Sequence, residues 1–317
     1  MTSPKSRTGY IALRESAALV ALPGRGKILA IGEDRARLLH AMSTNHVKQL
    51  ETGQGCYAFF LNDKGRILSD AYLFALETQI LIDTEPETRH SLREHLDKFI
   101  IADDVTLDDI TESYATLAVE GPRAANMLST LGVPLPPDAN ALTPWEYGLV
   151  AKVSATGAGG WRFFVPLEKQ DELFMMLLQA GITPATPDDV LAVRLENGIP
   201  RFGADITDHY IPHETRRVEA AIHFSKGCYL GQEIVERVRS QGKVNRMLTP
   251  LRIEAVEAPE PQTKIVAGEK EAGEITSAAI SPALDCVVAL GYVRAEYLRP
   301  GAPALTTAAG NPVRIAE

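Results

Sequence analysis

Twice within the first 130 residues a short apolar strand runs into a glycine turn and then a helix. The first copy is Leu29-Ala30-Ile31-Gly32-Glu33-Asp34-Arg35-Ala36-Arg37-Leu38-Leu39 and the second Leu117-Ala118-Val119-Glu120-Gly121-Pro122-Arg123-Ala124-Ala125-Asn126-Met127-Leu128. Such a recurrence restricts the chain to architectures assembled from like units and predicts two related α+β halves facing one another. The periodicities agree. Strands are expected at 27–31, 56–61, 67–76 and 79–83, where apolar and β-branched residues gather. Helical spacing places Leu38, Leu39 and Met42 on one face. A helix opening at Pro86 carries Leu92, Leu96, Phe99 and Ile100. Two more align Ala124, Met127, Leu128 and Leu131, and Leu173, Met176, Leu177 and Ala180.

The run Leu131-Gly132-Val133-Pro134-Leu135-Pro136-Pro137 is a loop, because its prolines lack the N–H that regular structure uses. Past residue 245 the pattern changes to short strands at 247–253, 273–280, 287–293 and 312–316, separated by Pro, Gly and Glu turns. They predict a small antiparallel barrel or sandwich. The expected organisation is therefore a first α+β half (1–133), a second (134–245) and a C-terminal β-barrel (246–317).

With 317 residues, 45% of them hydrophobic and 23% charged, the chain can bury a large core. Its net charge of -9 opposes general binding to a phosphate backbone and favours metabolite chemistry. Apolar runs such as 28–31 and 287–290 fall far short of the roughly 20 residues that span a bilayer. The opening MTSPKSRTGY has no apolar segment of the secretory kind, so a cytoplasmic location is expected. Cys56, Cys228 and Cys286 are far apart and form no C-x-x-C pair, which argues against a disulfide framework, a structural zinc site or a permanently held iron–sulfur cluster.

The chemistry-bearing string is Lys226-Gly227-Cys228-Tyr229-Leu230-Gly231-Gln232-Glu233, followed by Arg237. Glycines frame the cysteine, and the polar run after Gly231 has helix-forming composition. A helix starting near Gly231 puts Cys228 just ahead of free N–H groups that favour an anion, and Lys226 adds positive charge. Those surroundings favour a nucleophilic thiolate. The bland reading is a small buried cysteine beside a solvated Glu233–Arg237 pair.

The string K-G-C-Y-x-G-Q-E-x-x-x-R over 226–237 resembles the signature of the YgfZ-type folate-binding family. The segment Arg194-Leu195-Glu196-Asn197-Gly198-Ile199-Pro200-Arg201-Phe202-Gly203-Ala204-Asp205 is similar to one that this family shares with the aminomethyltransferase (T-protein) of glycine cleavage. The likeness covers roughly residues 25–250 and implies a site for tetrahydrofolate, or a related reduced folate, between the two halves and the barrel. It implies Cys228 as the working thiol beside that cavity, and Glu196, Asp70, Arg194, Lys226, Gln232 and Arg237 as folate-binding residues. Glu196 would accept a pterin amino group and ring N–H together. Arg201, Arg216 or Arg217 could meet the anionic tail. T-proteins carry paired aspartates where this chain has Ser69-Asp70, a departure that counts against aminomethyl transfer.

Three functions follow as expectations. The first is a folate-binding accessory factor for iron–sulfur assembly or repair, with iron–sulfur client proteins as partners and indirect effects on tRNA-modifying iron–sulfur enzymes. The second is a folate-dependent aminomethyltransferase or demethylating enzyme. The third is direct tRNA binding through Arg237, Arg239, Lys243 and Arg246, disfavoured by the acidic charge and the lack of an aromatic stacking partner in that run.

Overall fold

A computed structural model describes residues 7–242 and 244–316. Its first layer is an antiparallel five-stranded sheet in the order Gly55–Leu61, Ile67–Ala75, Gln79–Thr84, Gly26–Ile31, Thr106–Asp109. Side chains alternate across it with the period of two that strands impose. Ile28, Ala30, Phe60, Leu73 and Ile82 pack on Leu38, Leu39 and Met42 of helix Arg35–Met42 and on Leu92 and Leu96 of helix Arg89–Asp97. Phe74 and Leu81 point the other way, into a core shared with Leu142, Ala151 and Phe164 of the second sheet.

That second sheet runs Thr183–Pro184, Ala18–Ala21, Tyr114–Glu120, Gly160–Pro166, Gly148–Ala151, Leu142–Trp145. It is antiparallel except where Ala18–Ala21 meets Thr183–Pro184. Its outer face carries Leu117, Val119 and Phe163 against Leu128 of helix Ala124–Thr130 and Leu173 and Leu177 of helix Gln170–Gln179. The result is two sheets face to face with helices outside. The loop expected at 131–137 is present, whereas the pairing of Ala18–Ala21 with Tyr114–Glu120 carries strands from before residue 133 into this sheet.

Both strand–glycine–helix units form as expected. Gly32 (φ 111°) and Gly121 (φ 124°) make the two turns, and a Cβ on them would lie 2.0 Å from the Asp104 carbonyl oxygen and 2.6 Å from that of Ser16. Only glycine fits such a left-handed, crowded position. The helix expected from Pro86 begins as a 3-10 turn, Pro86–Thr88, and ends at Asp97, so Phe99 lies beyond it and is exposed.

The C-terminal region is a closed antiparallel barrel of six strands: Arg246–Ile253, Cys286–Arg294, Lys270–Ser281, Lys264–Ala267, Leu305–Thr307 and Pro312–Ile315. Leu251, Ile253, Ile275, Val287, Val293 and Val313 fill it. Residues of the opposite parity, Leu248, Leu290 and Tyr292, pack outward on Phe59 and Ile67 of the first sheet and on Leu195 and Phe202. Helix Pro187–Glu196 lies at this junction, its start fixed by a capping box between Thr186 and Asp189. Among the described residues no helix is long and apolar enough to cross a membrane.

Candidate functional site

Where the two sheets, helix Pro187–Glu196 and the barrel converge, they enclose a cavity of about 1330 Å³. Its first-sheet wall is built by strand register. Tyr57 stands opposite Tyr72 and Phe59 opposite Asp70, which brings Tyr57, Asp70 and Tyr72 to the cavity together. The Tyr57 hydroxyl donates to Asp70 Oδ2 at 2.6 Å. Burial, reinforced by the negative charge of Glu85, pushes the Asp70 carboxyl up to about 6. The Tyr57 hydrogen bond, Arg25 and Arg217 only partly offset this.

Most other charge on the wall is paired. Buried Asp83 accepts from Arg25 Nε at 2.6 Å and from Arg162 of the facing sheet, tying the sheets together. Glu85 accepts from Arg25 at 2.5 Å and from Arg201 at 3.1 Å. Burial would raise its pKa, but those two guanidinium groups bring it below the ordinary carboxylate value. Arg194 donates to Asp205 at 2.5 Å and to the Ile199 carbonyl at 2.7 Å. Asp205 also accepts from Thr276 of the barrel at 2.6 Å, so this pair docks the barrel on the helix.

Of the residues singled out from the sequence, Asp70, Arg194, Arg201 and Arg217 line the cavity; Glu196, Arg216, Lys226, Cys228, Gln232 and Arg237 do not. Glu196 is the last residue of its helix. Its carboxylate accepts from the Tyr10 hydroxyl at 2.5 Å, from Ser281 at 2.6 Å and from Arg14. These bonds lock the N-terminal helix Thr8–Glu15 to a barrel hairpin, and they occupy the oxygens expected to grip a pterin.

Cys228 is exposed, as a reactive thiol requires, but it does not share a cavity with Glu196, and the expectation that both face one ligand is corrected accordingly. The helix expected after it is Gln232–Gln241, entered through Gly231 at φ 83°. The ion pair on that helix joins Glu236 to Arg239 at 3.4 Å rather than Glu233 to Arg237. Lys226 is buried, and its ammonium donates to the carbonyls of His40 and, at 2.5 Å, Ser43, capping helix Arg35–Met42. A Cβ on Gly231 would lie 2.7 Å from the Asn62 carbonyl oxygen, and one on Gly65 2.7 Å from Ile234. Gly231 therefore seats this segment on the 61–66 turn, and Lys226 ties it to the end of helix Arg35–Met42.

Ser69 points away from the cavity. Its hydroxyl is bonded to Thr84 at 3.0 Å and Thr88 at 2.9 Å in a fully buried network. Neighbouring strand residues face opposite sides, so the missing member of the aspartate pair leaves the cavity wall intact. Of the basic run, Arg239 lies 4.1 Å from the Phe224 ring and Arg246 pairs with Glu214 at 3.0 Å; Lys243 lies outside the described residues. Tyr57, Tyr72, Glu85 and Arg162 are wall residues that sequence reading missed. The available signal was the alternation within each strand, Tyr57 with Phe59 and Asp70 with Tyr72, without the register that pairs them.

The GCVT N-terminal domain family matches residues 3–226, and the Glycine cleavage T-protein C-terminal barrel domain family matches residues 246–316. The aminomethyltransferase of Thermosynechococcus vestitus is 27% identical over 92% of this chain and 80% of its own length. That of Streptomyces avermitilis is 25% identical over 93% and 83%. The crystal structure of glycine cleavage system aminomethyltransferase T from Bartonella henselae superposes with a TM-score of 0.88 at 20% identity, covering 98% of this chain and 87% of that one, and bears on the fold alone. Both family matches fall on the architecture described above, two facing sheets followed by a closed barrel, and the chain belongs to the glycine cleavage T-protein family.

Proposed function

We propose that the central cavity binds a reduced folate and that the chain is a folate-dependent one-carbon transferase of the aminomethyltransferase kind. The observation that carries this reading is Asp70, a buried carboxyl in the cavity wall whose pKa is lifted to about 6. A reduced folate supplies a ring nitrogen able to take up a one-carbon unit. The cavity fits such a molecule: it exceeds the roughly 300–1000 Å³ of ordinary ligand sites. It also offers carboxylates for amino and ring N–H groups, and the Tyr57 and Tyr72 rings for aromatic surface.

Asp70 is suited to move a proton near neutral pH, since a group whose pKa lies close to the working pH serves as both acid and base. Tyr57 holds Oδ2 and leaves Oδ1 for a ligand nitrogen. The aminomethyltransferase relatives favour this function over the iron–sulfur one. Calorimetric titration with tetrahydrofolate, run beside a transfer assay with an aminomethyl-dihydrolipoyl donor, tests it. Asp70→Asn should keep most of the affinity and lose about 10²–10⁴-fold in turnover. Absence of tetrahydrofolate binding by the native chain would end the proposal.

A second reading, the YgfZ-type accessory role in iron–sulfur assembly, is favoured by one observation, the exposure of Cys228 outside the cavity. In cells lacking the protein, Cys228→Ser should then fail to restore iron–sulfur enzyme activities that the native chain restores. Full restoration by Cys228→Ser removes that reading.

A further inference from the structure

Five arginines line the cavity, and four have an acidic partner: Arg25 on Asp83 and Glu85, Arg162 on Asp83, Arg194 on Asp205, and Arg201 on Glu85 and Glu87. Arg217 is the exception, with no carboxylate within 4 Å among the described residues. Its guanidinium instead lies over the Tyr57 ring, 4.9 Å from the centroid. Tyr57 in turn packs on Tyr72 at 5.1 Å, and Arg162 lies over Tyr72 at 5.3 Å. Two phenol rings are thus bracketed by two cations along one cavity wall. At the far end of this ladder Arg162 Nε is buried and unpartnered.

A half-buried guanidinium with no carboxylate in direct contact is unfavourable, and the Tyr57 hydroxyl and ring with the more distant charge of Asp70 return only part of the lost hydration. The fold gives every other cavity arginine a carboxylate in contact, which sets Arg217 apart. We propose that Arg217 recognises a carboxylate of the cavity's ligand, held beside the Tyr57 and Tyr72 rings. A planar fork of N–H donors matches a carboxylate in two-point geometry, which a lysine or a hydroxyl would not. The inference rests on the folate reading in that it names the ligand group on this wall. The carboxylate belongs either to the folate's own glutamate or to a separate small acid bound alongside it.

Calorimetry on the full chain distinguishes these, with four probes: tetrahydrofolate; 6-methyltetrahydropterin, which keeps the reduced ring and has no carboxylate; p-aminobenzoylglutamate; and glycine. Native protein is compared with Arg217→Met and Arg217→Lys, each first checked for a native melting transition. If the folate supplies the carboxylate, Arg217→Met weakens tetrahydrofolate and p-aminobenzoylglutamate about tenfold or more and leaves 6-methyltetrahydropterin unchanged, and Arg217→Lys recovers part of the loss. If a separate acid does, tetrahydrofolate affinity holds and glycine binding disappears in Arg217→Met. The proposal is overturned if no carboxylate probe separates the native chain from Arg217→Met, or if 6-methyltetrahydropterin falls as far as tetrahydrofolate. Should the native chain bind neither tetrahydrofolate nor the pterin, the folate reading fails separately, and p-aminobenzoylglutamate and glycine still decide the role of Arg217.

Discussion

Replacing Asp70 by Asn should stabilise the protein, and more so as pH rises. In the folded state this carboxyl ionises near 6 instead of at its ordinary 3.8, chiefly because burial and then Glu85 disfavour the charge. A raised carboxyl pKa means that the folded state resists losing the proton. The destabilisation is absent below about pH 3.8, develops between the two values and is fully present above about 6. The gap corresponds to about 3 kcal/mol at pH 8, of which about 1 kcal/mol is already felt at pH 4.5. Asparagine keeps the shape and still accepts from the Tyr57 hydroxyl, so the constant cost of substitution is the same at both pH values. The stability of Asp70→Asn relative to native protein should therefore grow by about 2 kcal/mol from pH 4.5 to pH 8, or about 4–8 °C in Tm. Urea unfolding at the two pH values, both proteins side by side, measures it. A difference that stays flat, or that shifts against the variant as pH rises, would refute the argument and with it the poised carboxyl on which the proposed transfer reaction rests.

Asp205→Ala leaves Arg194 buried without its counter-ion and severs the bond to Thr276, and should cost about 3–5 kcal/mol in urea unfolding. A loss under 1 kcal/mol would show that the pair does not dock the barrel. Glu196→Gln weakens the lock to Arg14 and should lower stability by about 1–2 kcal/mol while tetrahydrofolate affinity stays within a factor of two. A tenfold drop in affinity would return the carboxylate to the ligand site. Cys228, exposed, should alkylate at neutral pH well ahead of Cys56, whose thiol burial pushes up to about 12; mass spectrometry of timed iodoacetamide labelling would expose the reverse order.

The fold was legible wherever a signal was periodic and local. Four of the five strands of the first sheet, the two glycine turns and four of the six barrel strands stand where alternation placed them; the short edge strand Thr106–Asp109 was missed. Lys264–Ala267 and Leu305–Thr307 were missed because strands of four and three residues barely complete one alternation. The cavity was half legible. Asp70, Arg194, Arg201 and Arg217 are part of it, but Tyr57 and Tyr72 become neighbours only through cross-strand register, which a single strand's sequence does not encode.

The 226–237 string shows why a specific motif can mislead about location. Its residue types suggest sulfur chemistry at a ligand, yet Lys226 is spent on the end of helix Arg35–Met42, and Gly231 is demanded by the approach of Asn62 and Leu61. These are requirements of packing one segment on that helix end and on the 61–66 turn, and they would hold whether or not the cysteine reacts. Packing leaves Cys228 unexplained: like Glu233 and Arg237 it is exposed, and no buried contact requires its identity. Gly231→Ala and Cys228→Ser should therefore separate cleanly. The alanine would force a clash at 2.7 Å in a left-handed conformation and cost stability, while the serine should melt with the native chain and change only what the thiol does.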